Sequence, residues 1–588
     1  MILEALVKRY EAQVTAGKIP LSGWSMAKVS FALRINDAGQ LLDVIDLREE
    51  KKLGKKSALV SILLEVPEQF KRAGETIKSN FLCENASYLL GTDNKGKPER
   101  SVKCFEAAKK LHQEILALNE SPSAVAVKNF FANWAPTEAD NHPALQKYLK
   151  EIKSASNLIF TLDGLHSVSE DTSMKAAWEN YRQSQEDAEN SLAMQCLVTG
   201  KTSPVARLHP SIKGVRNAQS SGASLVSFNS PAFESYDRRE GQGLNAPVSK
   251  YAAFAYATAL NDLLADFKHV KFFGDSTVVY WAEESDDAYP DCFDMISWRD
   301  SADISDEILD SYIQNIASAK PFDFENVPLN FSTPFYILGL SPNSARLSVR
   351  FFLRQTFGDV MQNLARHYQD CKLVKPSFKP RYLPMWKLLE ATVSSKSRDK
   401  ISSPLMTGAV LSSILTGVDY PFSLFQNVML RIKAESDSKI TYERAVIIKA
   451  YLARNRKKAN LVALNDDISD AAYILGRIFA VLENIQESAN PGLNATIKDR
   501  YFNAACSTPA RIFPLLHKLS VHHLRKLGAS SKIFFDRQLT HLTGKLSAEA
   551  KMPALVSLEE QGMFILGYYH QTQERYKKKE EKLDGERD

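Results

Sequence analysis

The N-terminal part of the chain opens with a two-residue period. Val29, Phe31, Leu33 and Ile35 alternate with Ser30, Ala32, Arg34 and Asn36, which predicts a half-buried strand. Asp37-Ala38-Gly39 supplies a turn, and Leu42-Asp43-Val44-Ile45 pairs back as a hairpin. The run Leu59 to Leu64 predicts a further strand, 101–118 returns to helical spacing, and 174–195 has helical character. A glycine- and serine-rich stretch, 199–247, is too polar for continuous core and too irregular for one helix; long loops of this kind in compact chains are often functional. Tyr251 to Phe267 then reads as a helix with Ser249 as its N-cap. Phe272-Phe273 and Thr277 to Trp281 are strand-like around Gly274-Asp275. Tyr336 to Leu340, a turn at Ser341-Pro342-Asn343, and Arg346 to Phe352 form a second hairpin.

Beyond about residue 405 the period is that of helices throughout. Ile474, Leu475, Ile478, Val481, Leu482 and Ile485 share one stripe, and Thr508-Pro509 is a cap with a first-turn proline ahead of Ile512, Phe513, Leu516 and Leu519. The predicted fold class is α+β: a mixed α/β N-terminal body with several short sheets or hairpins, followed by a C-terminal helical bundle. The boundaries read as 1–404 for the body, with sub-boundaries near 195 and 270, then 405–570 for the bundle. The tail 571–588 is rich in charge and is expected to fray into solvent. No solenoid-length repeat is present.

Length and composition fit this picture. At 588 residues the chain exceeds one hydrophobic core, and 44% apolar with 24% charged residues is ordinary for a globular protein. No stretch approaches the roughly 20 apolar residues of a membrane span, so a cytoplasmic protein with no membrane partner is expected. Cys83, Cys104, Cys196, Cys292, Cys371 and Cys506 have no close pair, and read as reduced, mostly buried thiols.

The net charge of +5 says little, but its distribution says more. Between Glu189 and Glu234 no acid occurs, while Lys201, Arg207, Lys213 and Arg216 do. Asp370 to Glu390 encloses Lys372, Lys375, Lys379, Arg381 and Lys387; Asp499 to Asp536 encloses Arg500, Arg511, Lys518, Arg525, Lys526 and Lys532, beside His517, His522 and His523. A surface that follows phosphates must exclude carboxylates, and unopposed cations gain from counterion release. A fourth window, with Arg346, Arg350 and Arg354, reads as partly core.

Catalytic signatures are missing: no P-loop, no HExxH and no nucleophile elbow. Asp275 and Glu283 flank a strand and could hold a metal, but a turn role suits Asp275 better. Asp466-Asp467 reads as a helix start. His522-His523 cannot ligate from one helical face, and Cys196 near His209 lacks an orienting group. No catalytic residue, metal or cofactor is assigned.

Three long stretches carry a family resemblance. CLVTGKTSPVARLHPSIKGVRNAQSSGASLVSFNSPAFESYDRREGQGLNAPVSKYAAFAYATALNDLL (196–264), LGLSPNSARLSVRFFL (338–353) and LGRIFAVLENIQESANPGLNATIKDRYFNAACSTPARIFPLLHKLSVHHLRKL (475–527) resemble the type I-C CRISPR large-subunit family, as does SNFLCENASYLLG (79–91). The resemblance implies a non-enzymatic subunit of a Cascade surveillance complex. Such a subunit sits with guide-RNA-bearing processing, backbone and small subunits, reads the protospacer-adjacent motif on target double-stranded DNA, helps open the duplex and stabilise the R-loop, and helps recruit a helicase-nuclease. It also implies a separately initiated C-terminal part, for which a start near Leu461 or Val462 would be needed here, since no methionine lies between Met429 and the 470s helix. Within that frame Gln219, Ser220, Ser221 and Gly222 are candidate motif readers, able to approach base edges closely. Lys213 and Arg216 beside them would hold phosphates. Asn80 and Asn85, with Lys78 nearby, form a second candidate reader, although Asn85 equally fits a helix cap. Lys375, Lys379 and Arg381 are further DNA-backbone candidates; Arg500, Lys518, Arg525 and Lys526 are candidates for the displaced strand. A metal-dependent nuclease and a scaffold with protein contacts only are the alternatives.

Overall fold

The computed structural model describes the chain except residues 54–55, 70–75, 95, 155, 189–191, 229, 234–241, 285, 299–305, 319–322, 325–326, 399–401, 436–438, 547–551 and 586–588. Part of the long polar loop, 234–241, therefore lies outside the described residues. Contacts divide the chain into two units, 1–210 with 226–260, and 211–225 with 261–588. This division cuts at neither 404 nor 195, and it assigns 211–225 to a different unit from the chain on either side.

In the first unit, β1 (Trp24–Val29) pairs antiparallel with β4 (Ile62–Pro67), while β2 (Phe31–Ile35) and β3 (Leu41–Asp46) form the expected hairpin, Leu33 opposite Val44. β6 (Asn157–Thr161) runs parallel to β2 and antiparallel to the short β5 (Glu84–Asn85), giving the order β3-β2-β6-β5. The alternation in β2 predicts one wet face, yet both are covered. Phe31, Leu33 and Ile35 join a core with Phe81, Phe130 and Trp178, while Ala32 packs with Val29, Val66 and Ile159. The run 59–64 is broken at Ser61, whose hydroxyl bonds Ser30 at 2.9 Å, so it feeds two strands rather than one. The helices α1 (Ile2–Thr15), α2 (Pro98–Ile115), α3 (Pro122–Asn133) and α4 (Thr172–Ala188) complete this unit. The predicted helix at 251–267 is α5 (Lys250–Ala265), and Ser249 Oγ accepts the Ala252 N–H at 3.1 Å as its cap.

The second unit is built on an antiparallel sheet ordered β7 (Val270–Phe273), β8 (Ser276–Ala282), β9 (Pro334–Asn343), β10 (Arg346–Thr356). Pro342 belongs to β9, opposite Leu347, and the chain reverses at Ser344-Ala345, not at 341–343. Ser344 has the left-handed φ of 54° that a tight reversal needs. A β-bulge leaves Arg350 unpaired between Val349 and Phe351. One sheet face, with Val278, Tyr280, Phe335 and Ile337, joins the core of the helices; the other stacks Trp281, Tyr336 and Phe352, with ring centroids 5.3 and 6.1 Å apart.

The helices include α6 (Phe357–Cys371), α7 (Tyr442–Asn455), α8 (Ala471–Ala489), α9 (Ile497–Ser507), α10 (Pro509–Leu524), α11 (Ala529–Lys545) and α12 (Leu558–Gly585). Asp470, not Asp466-Asp467, caps α8; Asp466 pairs with Arg477 instead, at 2.7 Å. Pro509 opens α10 as expected, but the Thr508 hydroxyl turns back to the Ala504 carbonyl and makes no cap. Gln571 to Lys577 do not fray: they continue α12, and Arg575 pairs with Glu487 at 2.6 Å. α8 and α12 meet backbone to backbone, because a Cβ on Gly476 would overlap the Phe564 carbonyl and one on Gly567 the Tyr473 carbonyl. All six cysteines are unpaired and buried, and no helix among the described residues is long and apolar enough to cross a membrane.

Candidate nucleic-acid interface

Residues 211–225 form a compact loop of the second unit, anchored by three buried apolar side chains, Ile212, Val215 and Ala223. Ile212 and Ala223 exchange both backbone hydrogen bonds, at 2.8 and 2.9 Å. Ser224 N–H donates to the Ala345 carbonyl at 2.9 Å and the Leu347 N–H to Ser224 at 3.0 Å, fastening the loop to the start of β10. At its other end the Arg216 N–H donates to Thr277 Oγ1 at 3.0 Å, and Asn261 clamps Lys213 N–H at 2.7 Å and the Ser211 carbonyl at 3.2 Å. The anchors are backbone groups, buried side chains and the half-buried Asn261; none is a polar side chain of the loop itself.

The tip is a turn closed by Gly222 N–H to the Gln219 carbonyl, 2.9 Å. Gly222 has φ +97°, and a Cβ there would meet Ser211 Cβ at 2.8 Å and the Ile212 carbonyl at 2.9 Å. Glycine is thus required at this position. Lys213, Arg216, Gln219, Ser220 and Ser221 are all exposed. The side chains of Lys213, Gln219, Ser220 and Ser221 make no hydrogen bond or ion pair to another described residue; that of Arg216 lies over the Phe272 ring at 5.7 Å. Asn217, absent from the sequence-derived candidates, projects from the same loop with φ 62°. Its signal was available, since asparagine is the residue that most readily takes this left-handed conformation after glycine.

The C-terminal acid-free window yields a second basic surface. Arg511, Lys518, His522 and Arg525 are exposed and recur at the spacing of one face of α10, and Arg500 is exposed in the first turn of α9. Arg511 was missed as a member of this stripe, although its position seven residues before Lys518 puts it on the same face. Lys526 is partly engaged, donating to Asn490 Oδ1 at 2.7 Å, and His523 shares the same Asn490. Burial holds His517 and His523 below the ordinary histidine value, and repulsion by Lys526 and His522 adds to this at His523. No group of three metal-ligating side chains occurs among the described residues.

Other sequence-derived candidates are placed differently. Asn80 is 5% exposed and gives its amide hydrogens to Glu84 at 2.9 Å and Gln69 at 3.0 Å, so it is a scaffold residue here and not a surface reader. Asn85 caps the short helix Ala86–Leu89, accepting the Ser87 N–H at 3.0 Å; Lys78 is exposed. The window 370–390 is free of acids in sequence only. Lys379 pairs with Glu443 at 2.6 Å, Arg381 with Asp310, and Lys375 donates to the Lys379 carbonyl at 2.6 Å. As a continuous phosphate track this segment is corrected: carboxylates brought in by distant helices neutralise Lys379 and Arg381, which interrupts the row of cations.

The acidic pair considered for metal chemistry is committed elsewhere. Asp275 sits in the turn between β7 and β8 and pairs with Arg350, the bulged residue, at 2.9 Å; Glu283 accepts the Tyr336 hydroxyl at 2.6 Å. Cys196 Sγ accepts backbone N–H groups of Ser249, Val198 and Thr199 at 3.2 to 3.5 Å, whereas His209 bonds Tyr256 at 2.8 Å. Burial opposes ionisation of Cys196, but those hydrogen bonds outweigh it and bring its thiol down to about 7.

Compared with known families, residues 6–576 match the family model described as CRISPR-associated protein (Cas_Csd1). No curated protein matches the chain.

Proposed function

Because the chain belongs to the CRISPR-associated protein family Cas_Csd1, we propose that it is the non-catalytic large subunit of a type I-C RNA-guided surveillance complex. In this reading the loop 211–225 reads the protospacer-adjacent motif in duplex DNA. Lys213 and Arg216 hold phosphates and set the register, while Gln219, with Asn217, Ser220 and Ser221, faces base edges. The α9–α10 stripe takes the displaced strand after opening, and the processing, backbone and small subunits with their guide RNA supply sequence recognition by base pairing. Recruitment of the helicase-nuclease follows R-loop formation.

One observation carries this reading: a rigidly pinned turn presents donor and acceptor side chains that no other described residue uses. Such groups are pre-organised for an external partner, with little ordering cost on binding. The test is binding of the assembled complex to target duplexes that differ only in the flanking motif, across a salt series. Gln219→Ala is expected to narrow the spread between motifs by about 1–3 kcal/mol, while Lys213→Ala weakens all motifs alike and lowers the salt slope by about one. An unchanged ranking of motifs in a combined Asn217→Ala, Gln219→Ala, Ser220→Ala variant would remove the loop from this role. The alternative of a metal-dependent nuclease is tested by incubating the chain with labelled DNA and Mg²⁺ or Mn²⁺; cleavage abolished by Asp275→Ala would overturn the non-catalytic reading.

A further inference from the structure

We propose that a groove between the segment 372–381 and α12 docks an acidic segment of a protein partner through one large apolar side chain of that segment. The groove encloses about 910 Å³ over an aliphatic floor that includes Leu373, Val374 and Val462. Its mouth carries Phe378, 81% exposed, and Tyr576, 50% exposed. A phenylalanine held this far into water next to an apolar floor is surface of the kind that marks an interaction site. The floor is already formed: the Val374 N–H donates to the Val462 carbonyl at 2.7 Å, and the Tyr569 hydroxyl to the Val374 carbonyl at 2.9 Å.

Charge selects the occupant. Lys372, Lys375, Arg381 and Lys577 line the groove, and no carboxylate does among the described residues. A strand of nucleic acid would need successive cations with donors to spare. Here Lys375 already donates to a carbonyl and Arg381 is neutralised by Asp310, so the donors left for phosphates are few, and the positive field at the rim comes from Lys372 and Lys375. An apolar side chain buried on the floor, with neighbouring carboxylates facing the rim, uses both features; such anchors carry most of the energy of peptide recognition. This docking site is independent of the DNA-reading loop.

The experiment uses the full chain and fluorescence anisotropy with labelled 12-residue peptides of equal negative charge, their central residue Phe or Ser, and a 12-nucleotide oligothymidylate. The Phe peptide is expected to bind about tenfold more tightly than the Ser peptide. Phe378→Ser and Lys372→Glu are each expected to weaken the Phe peptide about fivefold or more, leaving oligothymidylate binding unchanged. Equal binding of the two peptides would overturn the proposal. So would loss of oligothymidylate binding in Phe378→Ser, which would make the groove a nucleic-acid site. Both substituted side chains are exposed, so folding is not at stake.

Discussion

Lys379 and Glu443 meet at 2.6 Å although 64 residues separate them in the chain. Burial alone would raise the Glu443 carboxyl, but the hydrogen bond and charge of Lys379 outweigh it and hold it below its ordinary value of 4.5. A cation that looks unopposed in sequence is thus a structural partner of α7.

Lys379→Ala is expected to cost about 1–2 kcal/mol at neutral pH, because Glu443 stays largely buried without its donor. Since the folded carboxyl is depressed, the pair contributes in full above the unfolded glutamate value and fades as pH falls through the folded one. The gap in urea midpoint between wild type and Lys379→Ala should therefore narrow as pH falls below the ordinary glutamate value and close once pH has passed the depressed folded one. Binding to duplex DNA should not change; a loss there would return Lys379 to the phosphate track.

Gly222→Ala should loosen the loop by about 1–3 kcal/mol, since the added carbon meets backbone and the φ is left-handed. Hydrogen exchange across 211–225 should quicken while the helices keep their protection. Motif discrimination should fall with it. Faster exchange with discrimination intact would separate the loop from reading.

Arg511, Lys518 and Arg525 are expected to act additively on single-stranded DNA. Each change to alanine should lower the slope of log affinity against log salt by about 0.7. Unequal slopes, with Arg511 silent, would mean the strand does not follow the exposed face of α10.

His112 is wholly buried, its Nδ1 bonded to the Ala108 carbonyl at 2.7 Å and its Nε2 accepting the Leu82 N–H at 2.9 Å. This arrangement fits the neutral ring, and burial lowers its pKa to about 4 from 6.5. The unfolded chain binds a proton that the folded one refuses, so stability should decline as pH falls from about 6.5 towards 4. His112→Phe should flatten that decline in urea titrations, at a cost of about 1–3 kcal/mol at neutral pH for the stranded Leu82 N–H.

What the sequence disclosed was local. The β2–β3 hairpin, the Ser249 cap and the stripe of α8 were legible because turn chemistry and side-chain period act over a few residues. The segment 219–222 stood out by its small polar residues, but that its glycine closes a turn where only glycine fits was seen only in the fold. The burial of Asn80 was not legible: Glu84 stands only four residues on and Gln69 eleven before, but no periodicity marks either as its partner. The segment 372–381 failed as a phosphate track for a related reason: absence of acids along the chain says nothing about acids across space. Arg350 likewise could not be assigned before the bulge that turns it towards Asp275 was seen.

Side chains ordinarily act as spacers between helices, and spacers let one rod roll or slip over its neighbour. At Gly476 and Gly567 that lubricating layer is gone, and main chain rests on main chain. Sliding or rolling along this seam would drive backbone into backbone, so any rearrangement within the unit is expected to fall on the connections around this pair, with the two rods moving as one piece.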